Sequence, residues 1–168
     1  MKPLTPEIVE MPKQKMAVVT SKGDPNTAAS EALGALYGSV HTLKFDLKKR
    51  TGRVFKVQGL RTRWPDAHLL PTDQWTAVWA LPIPEDTDSL PQKSPDIEVK
   101  IETWEYGTVA QVLHIGPYSE EGPTVALLHR FIADNSLEIA GCHEEEYLTS
   151  PKAKVQKTAI RYQVKPAA

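Results

Sequence analysis

The sequence predicts an antiparallel α+β fold built as a tandem repeat in which each copy contributes one helix. The first observation is internal likeness: residues 17–26 (AVVTSKGDPN) and 110–119 (AQVLHIGPYS) both run from a strand-like stretch into a glycine turn. Helical spacing of apolar residues follows each of them. The second observation is that the helices are too sparse for a parallel sheet. Two fused modules of this kind predict a curved sheet with two helices and a central groove, a common place for a ligand.

The first module is predicted to span about residues 1–85. Its helix places Ala29, Leu36, Val40 and Leu43 at the spacing of one buried helix face. Basic residues and then a glycine close that helix, as is typical of helix C-termini. The predicted elements are strands at 8–11, 15–20, 55–64 and 74–83, and the helix at 28–49.

A polar, proline-marked segment, about residues 86–95, is predicted to link the first module to a second at about 96–168. A hairpin turn is expected at 105–107, between the first two strands of the second module. The strand-strand-helix-strand-strand order of the first module then appears again. The predicted elements are strands at 98–104, 109–115, 158–164 and within 141–151, and a helix at about 124–135.

Composition excludes several classes of protein. A net charge of −1 gives no basic surface for DNA, RNA or an anionic membrane. The chain has no apolar run of membrane-spanning length and no signal-peptide core near its start, so we expect a cytoplasmic protein. The single cysteine, Cys142, allows no internal disulfide. Because the histidines and glutamates lack paired metal-ligand spacing, we expect no metal and no cofactor.

The segment from Gly141 to Pro151 is the most unusual part of the chain. Side chains alternate across a strand, so His143, Glu145 and Tyr147 share one face while the flanking glutamates occupy the other. Glutamates are poor strand formers, and acid kept on a strand against its propensity indicates a site. We predict that Glu145 and Tyr147 face a pocket. The alternatives are an exposed acid on a wet sheet face and a tyrosine that only packs in the core.

Aromatic residues supply candidate walls for such a pocket. Trp75 and Trp79 share a face of the predicted strand at 74–83, and exposing both would leave an apolar patch. At least one tryptophan is therefore expected to line the groove, although core packing is the alternative for each. For His114 and Tyr118 the alternatives are a structural histidine and a ring packed over the helix start. The ligand-binding candidates are Tyr37, Trp64, Trp75, Trp79, His114 and Tyr118.

Several motifs resemble the stand-alone GyrI-like small-molecule-binding proteins, which are related to the effector-binding domains of multidrug-responsive regulators and to the SOUL haem-binding fold. The resemblance covers nearly the whole chain, and no single motif is specific by itself. The motifs are the segments 23–26, 35–37 and 42–45, then 114–118 with Glu120 and Glu121, then His143-x-Glu145-x-Tyr147-Leu148-x-x-Pro151, and finally Lys157-Thr158-x-Ile160-Arg161.

This resemblance implies two strand-helix-strand-strand modules around a groove that takes flat, apolar or cationic organic molecules. Glu145 matches the glutamate at the centre of the family's pocket, and Tyr147 matches the tyrosine after it. Some stand-alone members are similar to hydrolases that open cyclopropane rings of DNA-alkylating compounds, using aromatic walls and a glutamate that assists water. Two further possibilities stay open. The chain could form a homodimer, and it could inhibit a topoisomerase by direct protein contact.

The chain departs from the family pattern at two positions that bear on function. Gln58 stands where an acidic residue is frequent, and His41 stands where a tyrosine is usual. If an acid at position 58 helps to activate water, its absence weakens the case for hydrolysis and leaves the case for binding unchanged. Two functions therefore remain open: a detoxifying hydrolase, and a binding or sensing protein that acts through a partner.

Overall fold

A computed structural model describes residues 1–66 and 69–168, and all of their side chains except those of residues 25–27 and 72. Part of the segment between the strands predicted at 55–64 and 74–83 thus lies outside the described residues. The α+β class is confirmed, because antiparallel strands are combined with two α-helices. The chain divides into two compact units: Lys13–Glu105, called the middle unit, and Met1–Pro12 with Tyr106–Ala168, called the terminal unit.

The described residues form nine strands, two α-helices and two short 3-10 helices. The strands are β1 (Glu7–Met11), β2 (Gln14–Lys22), β3 (Arg61–Trp64), β4 (Thr76–Pro82), β5 (Lys100–Trp104), β6 (Gly107–Ile115), β7 (Leu137–Ile139), β8 (His143–Tyr147) and β9 (Lys157–Pro166). The α-helices are α1 (Pro25–Thr51) and α2 (Glu121–Asp134), and the 3-10 helices are Thr72–Gln74 and Tyr118–Glu120.

Each unit contains the same arrangement of antiparallel strands. In the middle unit the order is β3-β4-β2-β5, with α1 following β2 in the chain. In the terminal unit the order is β8-β9-β6-β1, with α2 following β6, and β7 adds a short pairing to β9. The tandem strand-helix-strand-strand repeat expected from the sequence is therefore present, each copy being flanked by one extra strand.

The helix of the middle unit packs through the stripe that the sequence predicts. Ala29, Leu36, Val40 and Leu43 are all buried, and α1 lies against β2 and β4. These strands contribute continuous apolar runs, including Met16 to Val19, that close the core from the other side.

The terminal unit has its own core under α2. Leu128 and Ile132 are buried against Val112 of β6 and Ile160 of β9, and Tyr162 lies in the same cluster. The turn from β6 into α2 depends on Gly116, which has a φ of 119°, a conformation that other residues rarely adopt. Its N–H donates to the carbonyl of Gln156 at 2.9 Å, which ties this turn to the start of β9.

Two details of the predicted elements are wrong. The strand expected at 55–64 is confined to Arg61–Trp64, because residues 55–60 are half-exposed or exposed and Gly59 interrupts the run. The hairpin expected at 105–107 does not form, since β5 pairs with β2 whereas β6 pairs with β1 and β9.

Two smaller differences concern short or boundary segments. The sequence did not predict β7, because a strand of three residues carries too little alternation to be recognised. Trp75 precedes β4 rather than lying on it, because the strand begins at Thr76. Among the described residues, neither helix is long and apolar enough to cross a membrane.

Candidate functional site

The strand β8 has the two-faced arrangement that alternation predicts. On one face, His143 Nε2 lies 2.6 Å from Glu145 Oε2, and Glu145 is only 5% exposed. On the other face, Glu144 and Glu146 point to Arg161 of β9. One face of β8 thus contributes to a structural ion cluster, formed by Glu144, Glu146 and Arg161. The other face contributes Glu145 to a separate acidic cluster.

The structural ion cluster explains how a run of glutamates stays in a sheet. Arg161 donates from Nη1 to Glu144 at 3.0 Å and from Nη2 to Glu146 at 2.9 Å. Arg161 lies opposite Glu144 in the β8–β9 register. The Tyr106 hydroxyl lies 3.1 Å from both carboxylate oxygens of Glu144, so this buried charge is well compensated.

The acidic cluster joins Glu145 to Glu121, the first residue of α2. Burial, the charge of Glu145 and a hydrogen bond between the two carboxyl groups together raise the pKa of Glu121 to about 9, and burial is the largest cause. Within the described residues, Glu121 Oε1 is buried without a hydrogen-bond donor. At neutral pH Glu121 therefore holds a proton, which relieves the repulsion between the two carboxyl groups.

A chain of hydrogen bonds extends from Glu145 toward the surface. His143 Nδ1 lies 2.7 Å from the hydroxyl of Tyr162, and that hydroxyl lies 3.0 Å from His129 Nε2. Tyr162 is buried whereas His129, on α2, is exposed. Burial raises the pKa of Tyr162 to about 12, and the charge of Glu145 acts in the same direction.

Tyr118 lies near the carboxyl pair, and Tyr147 packs against Tyr118. Tyr118 and Tyr147 meet edge to face, with ring centroids 5.5 Å apart. Burial raises the pKa of Tyr118, and so do the charges of Glu145 and Glu121, which places this ring close to both acids. The terminal unit therefore combines an acid, a base and an aromatic pair, all drawn from β8, α2 and the turn before α2.

His114 is fully engaged within the protein. Its Nδ1 lies 2.7 Å from the Thr124 hydroxyl and its Nε2 lies 3.0 Å from the carbonyl of Pro117. The ring is 3% exposed, so it holds the end of β6 to the start of α2. These contacts are the ones expected of a structural histidine, which was the alternative considered for His114 in the sequence analysis.

One potential ligand atom from each of Glu121, His143 and Glu145 lies within 4.8 Å of the other two. A cation held by these three would need neutral His143 and two ionised carboxylates. The same groups also form the 2.6 Å hydrogen bond between His143 and Glu145, and a proton on Glu121 relieves the repulsion between the two carboxyl groups.

The candidate tryptophans all belong to the middle unit and differ in environment. Trp79 is buried on β4 and donates from Nε1 to Ser21 at 2.9 Å, and Trp64 meets it edge to face with ring centroids 6.3 Å apart. Trp75 is half-buried and donates to the carbonyl of Leu70 at 2.8 Å.

Tyr37 is half-buried on α1 and stacks on His41, with ring centroids 6.0 Å apart and planes 21° apart. Burial raises the pKa of the Tyr37 hydroxyl, which therefore stays protonated at neutral pH. His41 thus takes part in an aromatic pair on the helix surface. The role of these middle-unit residues toward a ligand stays a prediction.

Glu121, Tyr162 and His129 were missed as functional candidates by sequence reasoning. Glu121 falls in a run of turn residues before a helix, where acids are ordinary N-terminal residues. Tyr162 and His129 lie on different elements, and only the packing of α2 on the sheet joins them. The one available signal was the shared face of His143 and Glu145.

Two strand-helix-strand-strand modules, with a carboxyl pair and aromatic neighbours in the terminal unit, are the features with which the comparisons must agree. A model of the GyrI-like small molecule binding domain family matches residues 4–165, and the chain belongs to this family. A comparison with curated proteins gave no match.

Solved structures of similar fold include two proteins from Listeria innocua. One, described as a hydrolase, is 27% identical with a TM-score of 0.81 over 98% of this chain and 94% of its own. An uncharacterized conserved protein is 27% identical with a TM-score of 0.84, over 97% and 93%. The C-terminal domain of EcmrR, 13% identical with a TM-score of 0.62 over 97% and 98%, shares the fold.

Proposed function

We propose that the chain is a hydrolase that binds a flat, apolar or cationic aromatic compound and opens an electrophilic cyclopropane ring in it by adding water. The observation that supports this proposal is the Glu121–Glu145 pair, in which burial and the neighbouring carboxyl group raise the pKa of Glu121 to about 9, so that Glu121 holds a proton at neutral pH. Two carboxyl groups whose environments separate their pKa values are the usual equipment for combined acid and base catalysis. The similarity to a hydrolase from Listeria innocua agrees with this assignment.

In the proposed reaction, Glu145 accepts a proton from water as the water oxygen bonds to a ring carbon. The ring carbon–carbon bond breaks, and its electron pair moves into the conjugated system as an enolate or phenolate. A hydrogen bond from the protonated carboxyl group of Glu121, or from Tyr147, then stabilises the new oxyanion. The oxyanion takes its proton from solvent, so substrate and water combine into one product, and Glu145 releases the proton that it accepted before the next turnover.

Glu121 also bears on the departure at position 58. Gln58 is exposed and precedes β3, so this segment supplies no carboxylate. Glu121 provides a second carboxyl group for Glu145 from within the terminal unit itself. Water activation thus does not depend on an acid at position 58.

The test is to incubate the purified protein with a cyclopropane-containing DNA alkylator and to follow the mass of the compound. We expect a gain of one water, at a rate that Glu145→Gln lowers by about 10²–10⁴-fold, the usual contribution of a general base. Glu138→Gln is the matched control, because Glu138 is an exposed acid paired with Lys165. Full turnover in Glu145→Gln would contradict the mechanism.

A binding or sensing protein is the alternative, favoured by the absence of an acid at position 58. It predicts an unchanged compound mass together with quenching of tryptophan fluorescence on addition of the compound. Glu145→Gln would then weaken the binding of cationic compounds more than that of neutral ones, because Glu145 would act as the counter-charge.

A further inference from the structure

We propose that His143, Tyr162 and His129 form a proton relay that connects the buried carboxylate of Glu145 to solvent. This inference rests on the proposed function in one respect, namely that Glu145 takes up a proton during turnover. Its geometric basis is independent of any substrate. Three consecutive hydrogen bonds, of 2.6, 2.7 and 3.0 Å, run from Glu145 Oε2 to His129 Nε2 without a gap.

The exposure of the side chains along this path suits a relay. Glu145 is 5% exposed and Tyr162 6%, whereas His129 lies on the solvent side of α2. A proton on Glu145 therefore has no direct route to water through its own position on β8. The His143 side chain is 22% exposed, and His129 is the exposed end of the path, where solvent can protonate or deprotonate the imidazole freely.

The rings are held in place by packing as well as by the hydrogen bonds. Tyr162 meets His129 edge to face, with centroids 5.1 Å apart, and meets His143 in the same way at 5.3 Å. Tyr162 is also part of the core cluster beneath α2. Such fixed geometry keeps the donor and acceptor atoms aligned for transfer.

The single hydroxyl hydrogen of Tyr162 couples the tautomers of the two histidines. The hydroxyl has one hydrogen and two imidazole neighbours, so it donates to one ring and accepts an N–H from the other. If it donates to His129, then His143 must donate from Nδ1; if it donates to His143, then His129 must donate from Nε2. The hydrogen placement at His129, on the surface, thus sets the placement at His143.

Proton balance follows from this coupling. When His143 in its Nδ1–H tautomer accepts the proton of Glu145 at Nε2, its Nδ1–H bond breaks and that second proton joins the Tyr162 oxygen. The original Tyr162 O–H proton moves to His129 Nε2, and His129 then releases its Nδ1 proton to water. One proton leaves the site for each one that entered His143, and Tyr162 is neutral before and after.

The acid–base properties of the groups agree with these roles. Burial raises the pKa of Tyr162 to about 12, so its hydroxyl passes protons on rather than remaining ionised. Burial lowers the pKa of His129, and so does the charge of His143, which keeps His129 a neutral acceptor near pH 7. Glu121 and Cys142 are the other titratable groups that act on Tyr162.

The first test uses nitrogen NMR of the histidine side chains and requires no substrate. We expect His129→Gln and Tyr162→Phe to change the Nδ1 and Nε2 shifts of His143, although His129 does not contact His143 through a hydrogen bond. Arg130→Gln, an exposed neighbour of His129 on α2, is the control and leaves these shifts unchanged. An unaltered His143 spectrum in His129→Gln would overturn the relay.

The second test separates the relay from the hydrolase itself. In His129→Gln we expect the first turnover to keep its rate, while steady-state turnover falls on the order of tenfold or more and is restored by added imidazole. An equal loss in both phases, or a loss that imidazole does not restore, would count against the relay. If no compound is hydrolysed, the proposed function fails, and the NMR result alone decides whether the coupling exists.

Discussion

At the scale of single residues, the site shows how position alone gives two glutamates different states. Glu121 and Glu145 have the same side chain, yet burial and the proximity of the other carboxyl group leave Glu121 with a pKa of about 9. Glu145 instead makes a hydrogen bond with His143, in which Glu145 Oε2 lies 2.6 Å from His143 Nε2. The acid and base assignments of the proposed reaction come from this asymmetry.

Glu121 should make the stability of the protein depend on pH. Its folded-state pKa is raised, so the folded protein keeps a proton that the unfolded chain releases above about 4.5. The free energy of unfolding should therefore fall as pH rises from about 4.5 to about 9, relative to the Glu121→Gln variant. Urea unfolding of both proteins across this range measures the difference.

Glu120→Gln is the matched control for this experiment, because Glu120 is the exposed neighbour of Glu121. The control should follow the wild-type curve at every pH. If Glu121→Gln also ran parallel to the wild type, Glu121 would not be holding a proton.

At the scale of elements, β8 is a strand that its own sequence does not favour. Three consecutive glutamates have low strand propensity, and the strand persists because β9 places Arg161 between Glu144 and Glu146. The same pairing fixes the direction of Glu145, since successive side chains of a strand point to opposite faces. The ion cluster on one face thereby orients the acid on the other.

Replacing Arg161 should therefore destabilise the protein strongly. Arg161→Met leaves Glu144 buried without its cation, and breaking a buried ion pair in this way costs about 3–5 kcal/mol of unfolding free energy. Chemical denaturation gives the value. The companion variant Arg161→Met with Glu144→Gln and Glu146→Gln should recover part of the loss, because it removes the uncompensated charges.

The informative comparison is between the unfolding free energy of the companion variant and that of Arg161→Met. A companion variant as unstable as Arg161→Met alone would show that lost packing, rather than unpaired charge, accounts for the destabilisation.

At the scale of the whole molecule, one arrangement of strands is used twice. The orders β3-β4-β2-β5 and β8-β9-β6-β1 correspond, and each unit packs one helix on its own sheet. In the part of the chain that the structure describes, the carboxyl pair and its hydrogen-bonded histidine belong to the terminal unit. The middle unit contributes the predicted tryptophans instead, so repetition of the fold was accompanied by different residues in the two copies.

Each unit should depend on its own core. Leu36 in the middle unit and Leu128 in the terminal unit are both fully buried, and Leu→Ala at either position should lower the free energy of unfolding by about 2–5 kcal/mol. Leu148→Ala, at a leucine that is 45% exposed, is the control and should change stability by less than about 0.5 kcal/mol. Thermal or urea unfolding measures all three, and a small effect at Leu128 would contradict the core described for the terminal unit.

Much of the fold was determined by patterns that are local in the sequence. The apolar stripe of α1, the repeated strand-turn-helix boundaries and the alternation through His143 to Tyr147 each depend on neighbouring residues alone. These predictions are confirmed for that reason. The strand at 55–64 was overestimated because local alternation cannot show whether a pairing partner exists.

The sequence by itself determined the α+β class, the tandem repeat and the face of β8 that carries Glu145. Only the tertiary structure decided that Glu121 meets Glu145, that Arg161 sits between two glutamates, and that Tyr162 bridges two histidines. Periodicity specifies which face a side chain occupies, but not which distant residue will lie opposite. The proton that Glu121 retains is a consequence of burial beside a like charge, and that environment exists only once α2 has packed on the sheet.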